Sequence, residues 1–526
     1  MPFSSDSGKA HIQKLLEKIN PKTVLDVGAG CGTYADKFKK PKQIWTAIEI
    51  WPANVTKYKL AEKYDRVITM DVRTAVIESH DVVIFGDVLE HMPKEDAKEL
   101  LARARAVCKN VIVSIPLGHY PQDEYDGNPH EKHITNNWTL EDLIATFGSP
   151  TNLSIDNEIA VLWYCKLKIA VYAISKNEEQ FVKRFCESAK GADIILIADT
   201  GSTDHTVIEG RANGAVVHEI CVAPWRFDMA RDTALCLLPA DIDVCISLDL
   251  DEELQDGWRD EIERVWKADT TRLRYKFDWG AGIAFFYEKI HARKGYRWHH
   301  PCHEYPVPDK RLTEVWAHTD MLLVIHKPDP TKSRGQYMDL LQLAVDEDPR
   351  CPRNAFYYAR ELTFNRRWQD AIHALNKYLA MPEATWINER AYAMRLLSQS
   401  FAELNDTNMA LLWARKACAE APNTREVWCE LAMFHYRLSE WEGCFYAANQ
   451  ALQITNKELV YTMDPSVWGE KPHDLLAIAA YHIGMQHQAI KHGEIAVSLA
   501  PTDQRLQTNL QYYKGELNGT ESNRTN

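Results

Sequence analysis

The stretch CISLDLDEEL, residues 245–254, constrains the fold more than any other part of the sequence. Apolar side chains at Val244, Ile246 and Leu248 alternate with smaller ones, and Asp249 and Asp251 follow directly. This alternation predicts a central strand of a sheet. In open α/β sheets, ligands bind outside the carboxyl ends of the strands. The sequence therefore predicts a buried strand that presents two carboxylates to a ligand.

The two aspartates are two residues apart, so extended backbone would point both side chains to the same side. At about 4 Å and an effective dielectric of about 20, their mutual repulsion is about 4 kcal/mol. A divalent cation with oxygen ligands offsets that repulsion and keeps positions open for phosphate. We therefore predict that Asp249 and Asp251 bind Mn²⁺ or Mg²⁺ and that Asp249 also serves a diphosphate. The alternative is a solvated acidic turn.

The segments before this pair alternate strand, loop and helix. KIAVYAIS and DIILIAD predict strands, and KNEEQFVKRFCESAKG predicts an amphipathic helix. The order SKNEE, ADTGSTDHT, FDMARDTAL, LDLDEEL resembles family 2 glycosyltransferases of the GT-A fold, which take sugar from a nucleotide donor. The resemblance implies that Glu178 and Asp199 lie against the nucleoside and that Asp204 closes the loop. Arg231 joins Asp249 among the donor-binding candidates, and Asp232 stands where the family more often has Asn.

Further along, KIHARKGYRWHHPCHEYPV contains His303 and Glu304. This pair resembles the HE motif of family members that carry helical repeats. The resemblance makes His303 a candidate metal ligand and Glu304 the first candidate for the base that deprotonates an acceptor in inverting transfer. Asp278, in KFDWGAG, is the second candidate base, and a core or surface role is the alternative for the histidines. Further candidates to reach the metal or the donor pyrophosphate are His326, Lys332 and Arg334.

The first third of the chain contains a glycine-rich loop after an apolar strand. In TVLDVGAGCGTY, residues 23–34, the glycines are Gly28, Gly30 and Gly32. Glycine lets the backbone turn sharply and approach a ligand closely. Glu49 ends the next apolar strand, 21 residues after Gly28, where a carboxylate can bind ribose hydroxyls. The dinucleotide fingerprint GxGxxG is the competing interpretation, but here the third glycine comes one residue early.

Three more strands follow, in YDRVITMD, HDVVIFGDVLEHM and NVIVSIPLG. This order, with the phrase DVLEHM, resembles class I S-adenosylmethionine-dependent methyltransferases. The resemblance implies that the glycines cradle the methionine part of the cofactor and that Glu49 holds the ribose. It also implies that Asp71 lies near the adenine and that Asp87 flanks the site. The alternative is a domain that keeps this fold and has lost the chemistry.

A polar, aromatic segment follows, HYPQDEYDGNPHEKHITNNWTLEDL, which is a candidate acceptor lid or a surface loop. Its histidines are spaced by 11 and 3 residues, which fits no metal-binding pattern: His119, His130 and His133.

Residues 352–515 contain four weak copies of a two-helix unit. Small residues recur at the expected helix crossings, with a period of 34 lengthened by insertions, and this period resembles tetratricopeptide repeats. Such units bury their faces by stacking and present a concave groove, which suits a peptide or protein partner. The alternatives are a homodimer interface or structural support. The small residues are Ala371, Ala410, Cys444 and Ala489, followed by Ala417, Ala451 and Ala496.

The net charge, the lengths of apolar runs and the spacing of the cysteines argue against some classes of function. A formal charge of −13 argues against nucleic-acid binding, which needs a basic face. No run of apolar residues reaches the length of a membrane span or a signal peptide. The twelve cysteines contain no CxxC pair, so we expect reduced thiols and a cytoplasmic protein.

We therefore expect an α/β multidomain chain. Its predicted parts are a Rossmann-like methyltransferase domain at 1–165, a GT-A glycosyltransferase domain at 166–335, an all-α tetratricopeptide-like domain at 336–517 and a disordered tail at 518–526. Residues 166–515 most resemble peptide-modifying glycosyltransferases with such repeats, as in sublancin-type S-glycosylation. This implies a UDP-sugar donor, by analogy alone, and a protein or peptide acceptor. The alternatives are an O-methyltransferase whose other parts recruit substrate, and a scaffold with two inactive domains.

Overall fold

The computed structural model describes residues 6–329 and 337–515. The predicted tail at 518–526 and the candidates Lys332 and Arg334 lie outside these ranges. Within them, no helix combines the length and apolarity that crossing a membrane requires.

The first part of the chain forms a mostly parallel sheet. Its strand order is β3-β2-β1-β4-β5-β9-β8, so the order reverses between β1 and β4. The five strands predicted here are confirmed as β1 to β5, and the hairpin β8–β9 adds an antiparallel edge. The strands are β1 (Thr23–Val27), β2 (Ile44–Glu49), β3 (Arg66–Thr69), β4 (Val82–Gly86), β5 (Asn110–Pro116), β6 (Gly118–His119), β7 (Asn137–Trp138), β8 (Asn152–Asp156) and β9 (Ile159–Cys165).

Helices cover this sheet. The longest, α5, buries Ala97, Leu100, Leu101 and Ala104, which recur at helical spacing. Thr139 caps α6 in a capping box with Asp142. The helices are α1 (Lys9–Ile19), α2 (Thr33–Phe38), α3 (Pro52–Lys57), α4 (Leu60–Lys63), α5 (Lys94–Val107) and α6 (Leu140–Phe147), with 3₁₀ turns at Leu89–His91 and Pro129–Glu131.

The middle part builds a second, mixed sheet of order β12-β11-β10-β13-β16-β15-β19-β14. β13 lies between β10 and β16, so the prediction of a central strand is confirmed. β10 to β13 are parallel, and their order reverses between β10 and β13. The strands are β10 (Ile169–Ser175), β11 (Ile194–Asp199), β12 (Val216–Glu219), β13 (Val244–Ser247), β14 (Glu252–Leu254), β15 (Arg272–Gly280), β16 (Ile283–Ala292), β17 (Tyr296–His299), β18 (Tyr305–Pro308) and β19 (Trp316–His326).

The helices of this part are α7 (Glu179–Ser188), α8 (Thr206–Ala212), α9 (Phe227–Leu237) and α10 (Trp258–Val265). α7 buries Phe181, Val182, Phe185 and Cys186 on one face, as the amphipathic pattern predicts. A separate hairpin, β17–β18, carries the loop that contains His303 and Glu304.

The last part consists of helices, and consecutive helices pack against each other in pairs. The helices are α11 (Tyr337–Glu347), α12 (Pro352–Phe364), α13 (Trp368–Leu379), α14 (Ile387–Glu403), α15 (Thr407–Glu420), α16 (Arg425–Arg437), α17 (Trp441–Gln453), α18 (Lys471–His482), α19 (Gln486–Leu499) and α20 (Gln504–Lys514), with a 3₁₀ turn at Pro465–Trp468. All seven small residues predicted at helix crossings are fully buried. Residues 454–470, between α17 and α18, form an insertion that contains this 3₁₀ turn.

The helical array packs against the middle part. The ring of His303 stacks on Tyr357 of α12 with centroids 4.0 Å apart. Arg353 of the same helix donates to the backbone carbonyl of His303. Tyr461, in the insertion, lies edge-on to Phe285 of β16 at 6.5 Å. The loop that carries Glu304 is therefore held between the second sheet and the helices.

The buried alanines predict how tightly the helical array is packed. Replacing Ala417, which is fully buried on α15, by Leu inserts extra carbon atoms into a filled interface. We expect Ala417→Leu to lower the free energy of unfolding by about 1–3 kcal/mol. Denaturant titration followed by circular dichroism at the helix band measures this. Ala419→Leu on the same helix is the control, because Ala419 is exposed and its replacement changes little. Equal midpoints for the two variants would contradict the tight crossing.

Candidate functional site

Two candidate sites lie where the strand order reverses. In the first sheet, the loop after β1 contains the three glycines. Gly28 has a φ of 69°, and a Cβ there would lie 2.4 Å from Cγ2 of Val88. No other residue fits that backbone and that space without rearrangement. The loop therefore approaches the segment after β4 as closely as its backbone allows.

Glu49, at the end of β2, is fixed by this loop. Its carboxylate accepts the backbone N–H of Gly30 at 2.8 Å and that of Trp51 at 2.9 Å, and Asn54 donates to it at 3.3 Å. The side chain is buried, and burial raises the pKa of Glu49. The structure thus brings Glu49 to Gly30, as a shared nucleoside site requires.

Asp87 and Asp71 follow the carboxyl ends of β4 and β3. Asp87 accepts from the hydroxyl of Ser114 at 3.0 Å and has a φ of 57°. Asp71 is paired with Arg73 at 2.6 Å, and this hydrogen bond lowers the pKa of Asp71. Both carboxylates lie at the carboxyl edge of the sheet, but that of Asp71 is paired with Arg73.

The pair Asp249 and Asp251 lies just beyond β13, in the second sheet. Leu250 and Asp251 form a turn, so the expectation of extended backbone through both aspartates is wrong. The turn separates the partners of the two carboxylates. Asp249 contacts cationic side chains, whereas Oδ2 of Asp251 lies 3.5 Å from Nε2 of His326 at the end of β19.

Arg231 is the hub of this site. Its guanidinium is 3% exposed and donates to Asp249 at 2.5 Å, to Ser247 at 3.1 Å and to the carboxylate of Glu304. Burial alone would lower the pKa of Arg231, but Asp249 and Glu304 raise it well above its ordinary value. The indole of Trp298 lies under the guanidinium at 5.0 Å. A single buried charge therefore connects α9, β13 and the hairpin loop.

Neighbouring side chains complete this hub. Asp232, whose role the sequence left open, accepts the backbone N–H of Trp298 at 2.8 Å and so fixes the ring beneath Arg231. Lys289 of β16 is 5% exposed and lies 3.4 Å from Asp249 and 3.6 Å from Glu252. Burial raises the pKa of Glu252 to about 7. The sequence analysis missed Lys289 and Glu252, although a lysine within the apolar strand FFYEKI is a signal of a buried ion pair.

The remaining candidates of the second site are spread around this hub. Asp278 accepts the backbone N–H of Gly280 at 2.9 Å at the end of β15. Trp279 packs on His326 with centroids 4.3 Å apart. His303 faces Tyr357 of the helical array. The structure brings Asp251 and His326 within 3.5 Å of each other, but among the described residues no three of Asp249, Asp251, His303 and His326 form a group that could hold a metal ion.

The residues that the sequence predicts to bind the nucleoside hold the loops after β10 and β11 in place by hydrogen bonds. Asp199 is buried and accepts from Ser175 at 2.9 Å and from the backbone of Gly201 and Ser202. Asp204 accepts from the hydroxyl and the N–H of Thr206, and Thr206 in turn accepts from the N–H of Glu178 at 2.8 Å. These bonds join the start of α7 to the start of α8 around a common edge.

A cavity of about 340 Å³ lies elsewhere, at the junction of the first two parts. It contacts none of the predicted site residues. Its lining is Ala102, Arg105, Ala106, Cys108, Lys109, Ser149, Thr151, Tyr164, Cys165, Lys166, Arg259 and Glu263.

Sequence comparisons identify one domain and one distant similarity. Residues 25–111 match the family model described as a methyltransferase domain. A protein of Rickettsia bellii (strain RML369-C) named an uncharacterized glycosyltransferase is 33% identical over 102 residues, which cover 19% of this chain and 33% of the relative. A Rickettsia typhi protein of similar name is 32% identical over 105 residues, 19% of this chain and 34% of the relative. The match thus spans about a third of the length of these curated relatives.

Solved structures with partial likeness include MamA, YrrB and the N-terminal domain of EvdMO1. MamA has a TM-score of 0.26 at 14% identity, covering 32% of this chain and 89% of its own. YrrB, described as a TPR protein with an unusual peptide-binding site, has a TM-score of 0.28 at 11% identity, covering 34% and 82%. The N-terminal domain of EvdMO1, solved with SAH and D-fucose, has a TM-score of 0.25 at 13% identity, covering 31% and 85%. The chain thus contains a methyltransferase domain and shares sequence similarity with proteins named glycosyltransferase.

The Arg231 hub predicts a large stability cost when its cation is removed. Arg231→Met leaves the buried carboxylate of Glu304 without this cation and takes from the partly exposed Asp249 one of its two cationic partners. We expect the free energy of unfolding to fall by about 3–5 kcal/mol, measured by denaturant titration. Adding Glu304→Gln should recover part of this loss, because it removes the buried negative charge that Arg231 balanced.

The matched control for this prediction is Arg211→Met. Arg211 pairs with Glu219 at 3.1 Å, but both side chains are exposed, so we expect a loss of about 0–1 kcal/mol. A loss of the same small size for Arg231→Met would show that the hub does not stabilise the fold.

Proposed function

We propose that the chain is a transferase with two centres. Residues 1–165 form an S-adenosylmethionine-dependent methyltransferase centre, and residues 166–335 form a glycosyltransferase centre of the GT-A type that uses a nucleotide sugar and a divalent metal. Residues 336–517 hold the acceptor. The observation that carries the glycosyltransferase centre is Arg231, which fixes Asp249 and Glu304 together where the strand order reverses.

The methyltransferase centre uses the first sheet. The glycine loop cradles the methionine part of the cofactor, Glu49 binds the ribose, Asp71 lies toward the adenine and Asp87 flanks the methyl group. The family match over residues 25–111 and the bond from Gly30 to Glu49 support this assignment. Methyl transfer depends on alignment of an activated donor more than on acid–base chemistry. A rigid backbone cradle is therefore the main contribution of these residues.

The donor site of the glycosyltransferase centre combines cations with carboxylates. Arg231 and Lys289 supply fixed positive charge beside Asp249, which suits a diphosphate. Asp251 and His326, 3.5 Å apart, offer an oxygen and a nitrogen ligand, a donor set that fits Mn²⁺. A bound ion would neutralise the leaving diphosphate. We leave His303 out of this set, because its ring stacks on Tyr357.

The nucleoside part of the donor is assigned to the loops after β10 and β11. Asp199 and Asp204 use their carboxylates to hold the loop backbone, so they shape the nucleoside site by positioning it. Glu178 lies at the start of α7 on the same edge. UDP is the nucleotide we propose, by analogy with folds of this type.

The acceptor base is Glu304, with Asp278 as the second candidate. Arg231 donates to Oε1 of Glu304 and fixes the orientation of the carboxylate. A positioned carboxylate is what removal of a proton from an acceptor hydroxyl or thiol requires. The base lies next to His303, which contacts Tyr357 of the helical array. This contact supports a role of the array in holding the acceptor, which we propose to be a Ser, Thr or Cys side chain of a protein or peptide.

A second candidate function is an O-methyltransferase whose other two parts only recruit substrate. The specific observation in its favour is that the family match covers the methyltransferase part alone. Under this alternative, the protein would use no nucleotide sugar.

Thermal-shift measurements on the full chain separate these functions. We expect S-adenosylmethionine to raise the melting temperature without added metal, and a UDP-sugar to raise it only with Mn²⁺ or Mg²⁺. A ligand at about 100 times its Kd adds about 2.7 kcal/mol of stability. Glu49→Gln should remove the first shift alone, and Asp251→Asn the second alone, so each variant controls for the other. A UDP-sugar shift that persists in EDTA or in Asp251→Asn would contradict the glycosyltransferase centre.

Paired amide variants test the base. We expect Glu304→Gln to slow transfer to a peptide acceptor by about 10²–10⁴-fold, because the acceptor keeps its proton. Donor binding, measured by the UDP-sugar thermal shift, should remain. Asp278→Asn is the isosteric control and should retain transfer. The reverse pattern would assign the base to Asp278, and full activity in both variants would exclude both carboxylates.

A further inference from the structure

A group of potential metal ligands lies in the first part of the chain, apart from the second sheet. Glu90 and His91 belong to the 3₁₀ turn after β4, and His133 belongs to the polar segment before β7. One ligand atom from each residue lies within 4.8 Å of the others. We refer to these three residues as the Glu90 cluster. The spacing of His119, His130 and His133 gave no indication of it, because two members come from a different segment.

Backbone bonds hold the two segments of the cluster together. The N–H groups of Ile134 and Thr135 donate to the carbonyl of Glu90 at 3.0 and 2.9 Å. The hydroxyl of Thr135 donates to the carbonyl of Met92 at 2.9 Å. These hydrogen bonds therefore hold the two segments of the Glu90 cluster together and fix the polar segment at this point.

Both imidazoles are oriented by their Nδ1 atoms. Nδ1 of His91 lies 3.2 Å from the carbonyl of Lys132, and Nδ1 of His133 lies 2.6 Å from the carbonyl of Tyr120. A carbonyl oxygen only accepts, so each Nδ1 carries the proton and each Nε2 keeps its lone pair. This is the arrangement in which histidines commonly bind metals. Burial lowers the pKa of both imidazoles, which favours the neutral form.

Glu90 supplies a buried carboxylate with an unused oxygen. The side chain is 1% exposed, and within the described residues its Oε2 is a buried atom without a hydrogen-bond partner. A buried carboxylate without a partner is costly. Burial, followed by the nearby charge of Asp87, raises the pKa of Glu90 well above its ordinary value. A cation at this point would relieve both the lost solvation and the repulsion.

We propose that Glu90, His91 and His133 bind a divalent transition-metal ion, best matched by Zn²⁺. Two imidazoles and one carboxylate form a common ligand set of catalytic zinc, with a fourth position left open. Mg²⁺ and Ca²⁺ prefer all-oxygen sets and fit less well. Zinc–nitrogen bonds of about 2.0–2.1 Å place neighbouring ligand atoms about 3.4 Å apart, so the three side chains would close from their present spacing.

The Glu90 cluster lies just after the carboxyl end of β4, and Glu90 follows Asp87 by three residues. An oxygen ligand of the methyl acceptor, such as a hydroxyl, would complete the coordination there, and zinc would make that hydroxyl more acidic. This assignment of the fourth ligand rests on the proposed methyltransferase centre. The metal site itself does not.

Metal binding by the full, untagged chain tests the proposal. The protein is stripped with a chelator, freed of it and titrated with Zn²⁺ against a chromophoric indicator. Co²⁺ substitution then reports the ligands by visible absorption. We expect His133→Ala and Glu90→Gln to weaken zinc binding by at least 100-fold, and the absorption of the Co²⁺ form to change in both. Glu90→Gln keeps the shape of the side chain and covers the case in which His133→Ala fails to fold.

Two controls make the result specific. His119→Ala removes an exposed histidine of the same segment and should bind Zn²⁺ as the original chain does. Asp251→Asn removes the proposed metal site of the second sheet and should also keep the zinc site. The S-adenosylmethionine thermal shift should survive in Glu90→Gln, because the ion serves the acceptor and not the cofactor. Unchanged zinc affinity in both His133→Ala and Glu90→Gln, or thiolate charge-transfer bands in the Co²⁺ form, would overturn the proposal.

Discussion

The buried guanidinium of Arg231 is the constraint on which the middle part of the molecule depends. A cation with 3% exposure is stable only if carboxylates surround it, and here they come from two distant places in the chain. Asp249 lies 18 residues after Arg231 and Glu304 lies 73 residues after it. The end of β13 and the β17–β18 loop must therefore both contact Arg231 of α9. Any ligand that binds Asp249 therefore also lies near the fixed positive charge of Arg231.

The two sheets use the same topological feature with different electrostatics. In each, the candidate site lies where the strand order reverses. In the first sheet, Glu49 is held by neutral backbone N–H groups, and Asp87 and Glu90 add acidic character. In the second, Arg231 and Lys289 meet the carboxylates. An acidic edge suits a sulfonium cofactor, whereas an edge that combines carboxylates with fixed cations suits a diphosphate held with a metal ion, which supports different donors for the two proposed centres.

Local patterns predicted much of the fold and less of the sites. The strands β1 to β5, β10, β11 and β13 follow from apolar runs, and the small residues of the helical array follow from period and volume. The glycine loop and Glu49 were predictable because both lie within one short βαβ unit. The partners of Arg231, the turn at Asp251 and the Glu90 cluster were not, because each depends on side chains that tertiary packing brings together. The periodicity of apolar residues does not predict such tertiary contacts between side chains.

The stacking of His303 on Tyr357 has a consequence for how the chain can be divided. A fragment that ends before α11 would expose the rings of His303 and Phe285 to water and strip Arg353 from the carbonyl of His303. Arg226 would lose Glu347 as well. The loop bearing Glu304 would then have solvent on one side in place of a helix. The domain boundary predicted from sequence therefore does not separate two independent structural units, because the loop that bears Glu304 packs against the first helices of the array.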